Sequence, residues 1–242
     1  MPVLNKILKE VDESWRDILE DSIKCLNDDY LRFLLENKDF FPDINNFLNA
    51  FKTLSLEKTK YILFGQDPYP RYKSATGYAF IDGMVEKIFS QDGLSTQVNK
   101  ATSLRNFIKM LLICEDKLKK CDTSQKAISQ IKKDKLCLDM QCIKKNLEKN
   151  GVLLLNISLI FTSKKKSNFH LKQWMNFTDR LLERISDRKI KLILFGKVAQ
   201  KVEKFNSSIC FEKFVSPHPY NISFITNDEV ISLFKPMKLI CI

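Results

Sequence analysis

Residues 59–71 read TKYILFGQDPYPR, and the change of character in the middle of this stretch organises the rest of the chain. Its first half, Thr59 to Gly65 (TKYILFG), is a short apolar run rich in β-formers and stopped by the glycine. Such a run has no polar alternation, so it predicts a strand buried on both faces, the kind found in parallel sheets sandwiched by helices. Its second half, Gln66, Asp67, Pro68, Tyr69 and Pro70, predicts a stiff polar turn. The same pattern recurs at GVLLLN (151–156), IKLILFG (190–196) and FEKFVS (211–216), each bounded by polar, Gly or Pro residues.

Helical periodicity fills the intervals. Apolar residues recur at helical spacing at Leu104, Phe107, Ile108, Leu111 and Leu112 within 103–118, and at Leu171, Trp174, Phe177, Leu181, Leu182 and Ile185 within 171–185. Residues 4–37 predict two further amphipathic helices. Alternating buried strands and helices specify an α/β architecture: a single domain over 1–242 with a central four-stranded, mainly parallel sheet flanked by helices. Residues 115–149 are rich in Lys and poor in large apolar residues, and read as a solvated helical excursion, an insertion into that domain.

Composition bounds the function. The 242 residues are 44% hydrophobic and 29% charged with only six Gly and seven Pro, which excludes disordered and collagen-like architectures. Forty Lys and Arg against 29 Asp and Glu leave +11, a balance that suits a polyanionic partner. No apolar run approaches the roughly 18 residues of a membrane span, and the acidic, amphipathic start is unlike a secretory signal, so a cytoplasmic protein is expected. An odd set of seven Cys without such a signal predicts reduced thiols. Cys114, Cys121, Cys137 and Cys142 fall close together, but their spacing matches none of the usual iron–sulfur ligand runs, so ordinary thiols are expected there.

In an open parallel α/β sheet the ligand crevice lies beyond the carboxyl ends of the strands, which directs attention to the residues after each strand. These are Gln66, Asp67, Pro68 and Tyr69 after the first, Asn156 at the end of the second, Gly196 and Lys197 after the third, and His218 in SPHP after the fourth. The set lacks a Gly-rich phosphate loop, the paired His or CxxC of a zinc centre, and a nucleophile elbow, so neither a metal nor a cofactor is expected. An Asp on a rigid turn can orient a water or stabilise a cation, and a His can donate to a developing oxyanion. An Asn at a strand end can read the edge of a planar amide-like heterocycle, whose faces aromatic residues such as Tyr69 and Phe80 can wall.

These motifs, in collinear order, resemble the family 1 uracil-DNA glycosylases. GQDPYP followed by Gly77, Tyr78, Ala79 and Phe80 resembles the family's first motif; GVLLLN resembles the strand ending in its uracil-reading Asn; WMNFTD, ILFGKVAQ and SPHPYNIS resemble its remaining motifs. The resemblance implies hydrolysis of the N-glycosidic bond of deoxyuridine in single- and double-stranded DNA, by a monomer, leaving an abasic site. It implies Asp67 for positioning the water and stabilising the glycosyl cation, and His218 for hydrogen-bonding uracil O2. Asn156 would read O4 and N3, Phe80 would stack on the flipped base, Tyr69 would exclude the thymine methyl, and the Gln66 backbone would line the oxygen-binding hole. Pro68, Ser103, Gly196, Lys197 and Ser223 would handle DNA, with Ile222 at the place of the family's leucine wedge. An acidic protein inhibitor that mimics DNA, a partner of many members, is a further implied partner.

The chain also departs from the family pattern. Pro70 stands where cellular members usually have His, 101–103 replaces a proline-rich Ser loop, Lys197 replaces a Ser, and Tyr220 and Asn221 replace Ser-Pro after His218. Pro70 alters the hydrogen-bond network behind the first motif and the other three changes touch DNA handling, whereas Gln66, Asp67, Tyr69, Phe80, Asn156 and His218 are all kept. Lys197 is the one strand-end lysine, and a β-lyase step is not expected.

Overall fold

The computed structural model describes residues 2–242. In chain order the helices and strands are α1 (Pro2–Glu10), α2 (Glu13–Ile23), α3 (Asp28–Glu36), β1 (Tyr61–Gly65), the short hairpin β2 (Phe89–Ser90) and β3 (Gly93–Leu94), α4 (Thr96–Lys100), α5 (Thr102–Cys114), α6 (Gln125–Ser129), α7 (Met140–Lys149), β4 (Val152–Asn156), α8 (Ser167–Arg184), β5 (Lys191–Phe195), α9 (Lys197–Val202), β6 (Glu212–Ser216) and α10 (Asp228–Phe234). Two compact units emerge: one runs to Ile81 and resumes over Gly151–Phe214, the other comprises Asp82–Asn150 and Val215–Ile242.

The first unit is built on the sheet, ordered β4-β1-β5-β6. β1 pairs parallel with β4, Tyr61 opposite Val152 through Gly65 opposite Asn156, and parallel with β5, Tyr61 opposite Lys191 through Phe64 opposite Leu194. Every residue of β4 is buried, as is all of β1 and β5 beyond the first residue, which is why these strands read as unbroken apolar runs. The α/β expectation therefore holds. Covering helices bury Trp15, Leu19, Trp174, Phe177 and Leu181, and the Trp15 indole donates to the Leu54 carbonyl at 2.8 Å.

The N-terminal region forms three helices where periodicity predicts two. Asp12 ends the first by capping the next: its carboxylate accepts from the Ser14 N–H at 3.1 Å, and Asn27 caps α3 in the same way. An apolar stripe runs across such a break because the helices it joins face one core.

In the second unit α5 packs against α10, with Phe107 edge-on to Phe234 at 5.6 Å. Residues 115–149 are not simply a solvated excursion. α7 buries Met140, Ile143 and Leu147, and its Lys144 is paired with Glu148 at 2.8 Å. The Glu115 carboxylate accepts from the backbone N–H groups of Ile240 and Cys241, while Asn146 and Asn150 donate to carbonyls of 237–241, which ties the C-terminal segment to this region. The expectation of free thiols is corrected at one pair. Cys137 and Cys142 form a disulfide with Cα atoms 5.4 Å apart, within the usual range for that bond. Cys114 remains a buried thiol that burial pushes up to about 12. Among the described residues no helix is long and apolar enough to cross a membrane.

Candidate active site

The parallel register fixes the first feature of the site. Gly65 and Asn156 are neighbours at the carboxyl ends of β1 and β4, and the pairing continues past both strands, with Ile157 N–H donating to Gly65 O and Ser158 N–H to Gln66 O, each at 3.0 Å. Asn156 is 5% exposed. A Cβ on Gly65 would lie 2.2 Å from the Asn156 carboxamide oxygen, so only glycine at 65 lets that amide stand where it does.

Asp67 is the best-determined polar group here. Its Oδ2 accepts from Ser167 Oγ at 2.7 Å and from Gln66 Nε2 at 2.6 Å, whereas its Oδ1 is buried and takes no hydrogen bond from the protein. The Gln66 amide is oriented in turn by the ammonium of Lys201, which donates to Gln66 Oε1. Gly196 and Lys197 follow β5 as expected, but Lys197 is exposed, and it is Lys201, one turn further along α9, that reaches the Asp67 group. The expectation that Lys197 is the one lysine at the strand ends is corrected accordingly. The i, i+4 spacing of Lys197 and Lys201 on one helix was the signal available for it. Nothing local marks Ser167: it opens α8, and only the loop after Asn156 brings it to Asp67.

The segment from Thr76 to Phe80 is held by a ladder of amides. Asn49 donates to the Thr76 carbonyl at 2.8 Å and to Asn46 Oδ1, Asn46 donates to the Asp43 carboxylate, and the Thr76 hydroxyl reaches Ile81 O at 2.9 Å. Gly77 has φ of +82°, and a Cβ there would meet the Asn46 carbonyl at 2.0 Å. Phe80 is itself held at φ of +64°, a region costly for an aromatic residue, with its ring edge-on to Phe195 at 5.7 Å. Tyr69 is half-buried and Pro68 buried on the turn beside Asp67.

The second unit carries His218, Ser103, Ile222 and Ser223. His218 Nδ1 accepts from the Tyr220 N–H at 3.0 Å. Burial lowers the imidazole from its ordinary value, so the ring is neutral near pH 7 with its proton on Nε2, a donor. Asn106, 3% exposed, supports this loop by donating to the Pro219 carbonyl at 2.7 Å. Ser103 lies in the first turn of α5, and Ile222 (80% exposed) and Ser223 lie on a short 3₁₀ turn anchored by buried Phe224. The other histidine, His170, belongs to the first unit. It is buried between the Tyr30 hydroxyl and the Thr162 hydroxyl, 2.8 Å from each ring nitrogen, and burial lowers its pKa also; both nitrogens are used structurally.

The sequence pattern of the Uracil DNA glycosylase superfamily matches residues 51–237. The chain is 30% identical over 218 residues to the uracil-DNA glycosylase of Francisella philomiragia, covering 87% of this chain and 86% of the relative. It superposes on the UNG crystal structure from Nitratifractor salsuginis with a TM-score of 0.96 at 45% identity, over 98% of this chain and 96% of that one. The mimivirus uracil-DNA glycosylase shares the fold alone, at a TM-score of 0.58 and 17% identity over 88% of this chain and 71% of that one.

Proposed function

The chain belongs to the uracil DNA glycosylase superfamily, and on that premise we propose that it hydrolyses the N-glycosidic bond of deoxyuridine in DNA as a monofunctional repair glycosylase. The observation that carries this reading is the state of Asp67. One carboxylate oxygen is pinned by two donors, and the other is buried with no protein donor. An acceptor left this way suits the orientation of an attacking water, because a buried carboxylate oxygen otherwise forfeits the hydrogen bonds it would make in solvent.

In the reaction the bond from C1′ to the base breaks with its electrons passing to uracil, and water adds at C1′ and releases a proton to solvent, which returns one to the uracil anion. Asp67 orients that water and its charge stabilises the cationic sugar. His218, neutral and protonated on Nε2, donates to uracil O2 as negative charge collects there; a neutral donor does not protonate the base outright, and its Nδ1 is kept as an acceptor by the Tyr220 N–H. Asn156 reads the O4 and N3 edge, Phe80 stacks on the extruded base, and Tyr69 closes the space a thymine methyl would need. The Gln66 backbone lines the pocket for uracil O2. Extruding the nucleotide costs a few kcal/mol, which contacts to the strand must offset. Ser103, Pro68, Gly196, Lys197 and Ser223 are assigned to that role, with exposed Ile222 filling the vacated stack. Single- and double-stranded DNA are both substrates on this reading, the protein acts as a cytoplasmic monomer, and an acidic DNA-mimicking protein would compete for the same contacts.

The test is incubation with chelator on a labelled single-stranded oligonucleotide carrying one deoxyuridine, beside a thymine control, followed by alkaline cleavage at abasic sites. Strand scission at uracil alone is expected. Binding without scission would overturn the reading in favour of a DNA-binding scaffold.

A further inference from the structure

Asp67, Gln66 and Lys201 form a directed chain. The Lys201 ammonium has donors and no acceptor, so the Gln66 group facing it must be the carbonyl oxygen, and the amide NH₂ is thereby turned toward Asp67 Oδ2. Without a cation at that place the Gln66 amide could rotate by half a turn and present its oxygen to the carboxylate, which would repel it. Ser167 closes the same oxygen from another element, the start of α8. Lys201 is half-buried, and no carboxylate is hydrogen-bonded to it among the described residues; its charge is spent on Gln66.

We propose that Lys201 is a positioning residue for the glycosylase reaction, fixing the Gln66 amide so that Gln66 and Ser167 together lock Asp67 by Oδ2 and leave Oδ1 for the water. The charge on Lys201 polarises the Gln66 carbonyl and strengthens the bond that its NH₂ makes to Asp67. Burial lowers the Lys201 ammonium from its ordinary value, Asp67 opposes that shift, and Lys197 and Lys204 add to it, so the ammonium and the carboxylate act on each other across the intervening amide. The other reading of a lysine beside a DNA-handling loop, a phosphate contact, predicts a different kinetic signature. A phosphate contact serves ground state and transition state alike and appears in KM, whereas misalignment of the carboxylate appears in kcat.

This proposal rests on the uracil-excision reading, and the experiment separates the two. The wild-type chain, Lys201→Met, Lys201→Arg and Ser167→Ala are compared on a deoxyuridine oligonucleotide, in steady state and in single turnover with enzyme in excess. If the wild-type chain does not cleave at uracil, the excision reading fails. Given wild-type cleavage, Lys201→Met is expected to lower kcat about ten- to a hundredfold, the range a small misplacement of a reacting group produces, with KM unchanged. Lys201→Arg should restore most of the rate, and Ser167→Ala should reproduce the kcat defect from the other side. In an Asp67→Ala background, Lys201→Met should cause no further fall. A rise in KM at constant kcat, or the same fold-loss in both backgrounds, would overturn the proposal. If Lys201→Met does not fold, Ser167→Ala and Lys201→Arg carry the test: unchanged kcat in Ser167→Ala would overturn the shared-lock geometry.

Discussion

The loop after β1 is tied down at both ends, at Gln66 and Asp67 and again from Thr76 to Phe80, with 70–73 exposed between them, whereas the loop after β6 is fastened at a few points and otherwise faces solvent. Between Gln66 and Phe80 the carboxylate, the amide and the backbone are all tied to other elements, and Phe80 is held in a backbone conformation it would not choose alone. Around His218 the Tyr220 N–H, buried Asn106 and buried Phe224 fix one ring and the turn, while Tyr220 and Ile222 stand out at 66% and 80% exposure. Rigid constraint suits groups that must meet a reacting atom within a fraction of an ångström, and exposure suits side chains that must enter DNA. The departures from the family pattern fall accordingly: the tied residues keep the pattern, and three of the four changes lie among the residues proposed to handle DNA, Pro70 being the exception.

That contrast can be broken by substitution. Asp67→Asn should lower the single-turnover rate most, by about 10²–10⁴-fold, while keeping affinity for uracil DNA in a gel-shift titration. His218→Ala should cost about 10²–10³-fold through loss of the donor to O2. Its pH dependence follows from the lowered pKa: as pH falls below the ordinary value of 6.5 and through the lower folded-state value, His218 gains a proton on Nδ1, loses the Tyr220 bond, and the rate drops. His170 obeys the same sign for stability. Its buried neutral form stabilises the fold fully above 6.5, and that contribution is lost as pH falls through the folded-state value, so Tm should be flat near neutrality and decline in acid; His170→Gln should flatten the decline.

Gly65→Ala tests the close approach at the strand ends. Overpacking of this kind costs about 1–3 kcal/mol, read as a lower denaturant midpoint together with weaker discrimination of uracil from cytosine. The smallest effect belongs to the exposed loop. Ile222→Ala should reduce the rate several-fold on duplex and less on single strands, where little stacking has to be replaced. Equal losses from Ile222→Ala and Asp67→Asn would erase the distinction between the loops.

Much of this was legible in the chain. Three of the apolar runs are β1, β4 and β5, legible because a strand buried on both faces has no polar alternation to obscure it, while the fourth, β6, is an only partly buried edge strand; the polar residues that follow the four are those proposed for the crevice. Three features were not legible. The break between α1 and α2 hid behind a continuous apolar stripe; the 115–149 segment looked solvated because its lysines outnumber the few residues, Met140, Ile143 and Leu147, that bury it; and the pairing of Cys137 with Cys142 leaves no mark in the spacing of a helical region.

By itself, then, the sequence determined the layered sheet and the order of the motifs, since these depend on local periodicity and on the residue types along the chain, and it singled out Asp67, Asn156, Phe80 and His218 as the residues proposed for the chemistry. Only the tertiary structure decided how Asp67 is held. Ser167 lies a hundred residues away and Lys201 farther still, and a hydrogen bond between such residues exists only once the parallel register has brought the ends of β1, β4 and β5 together.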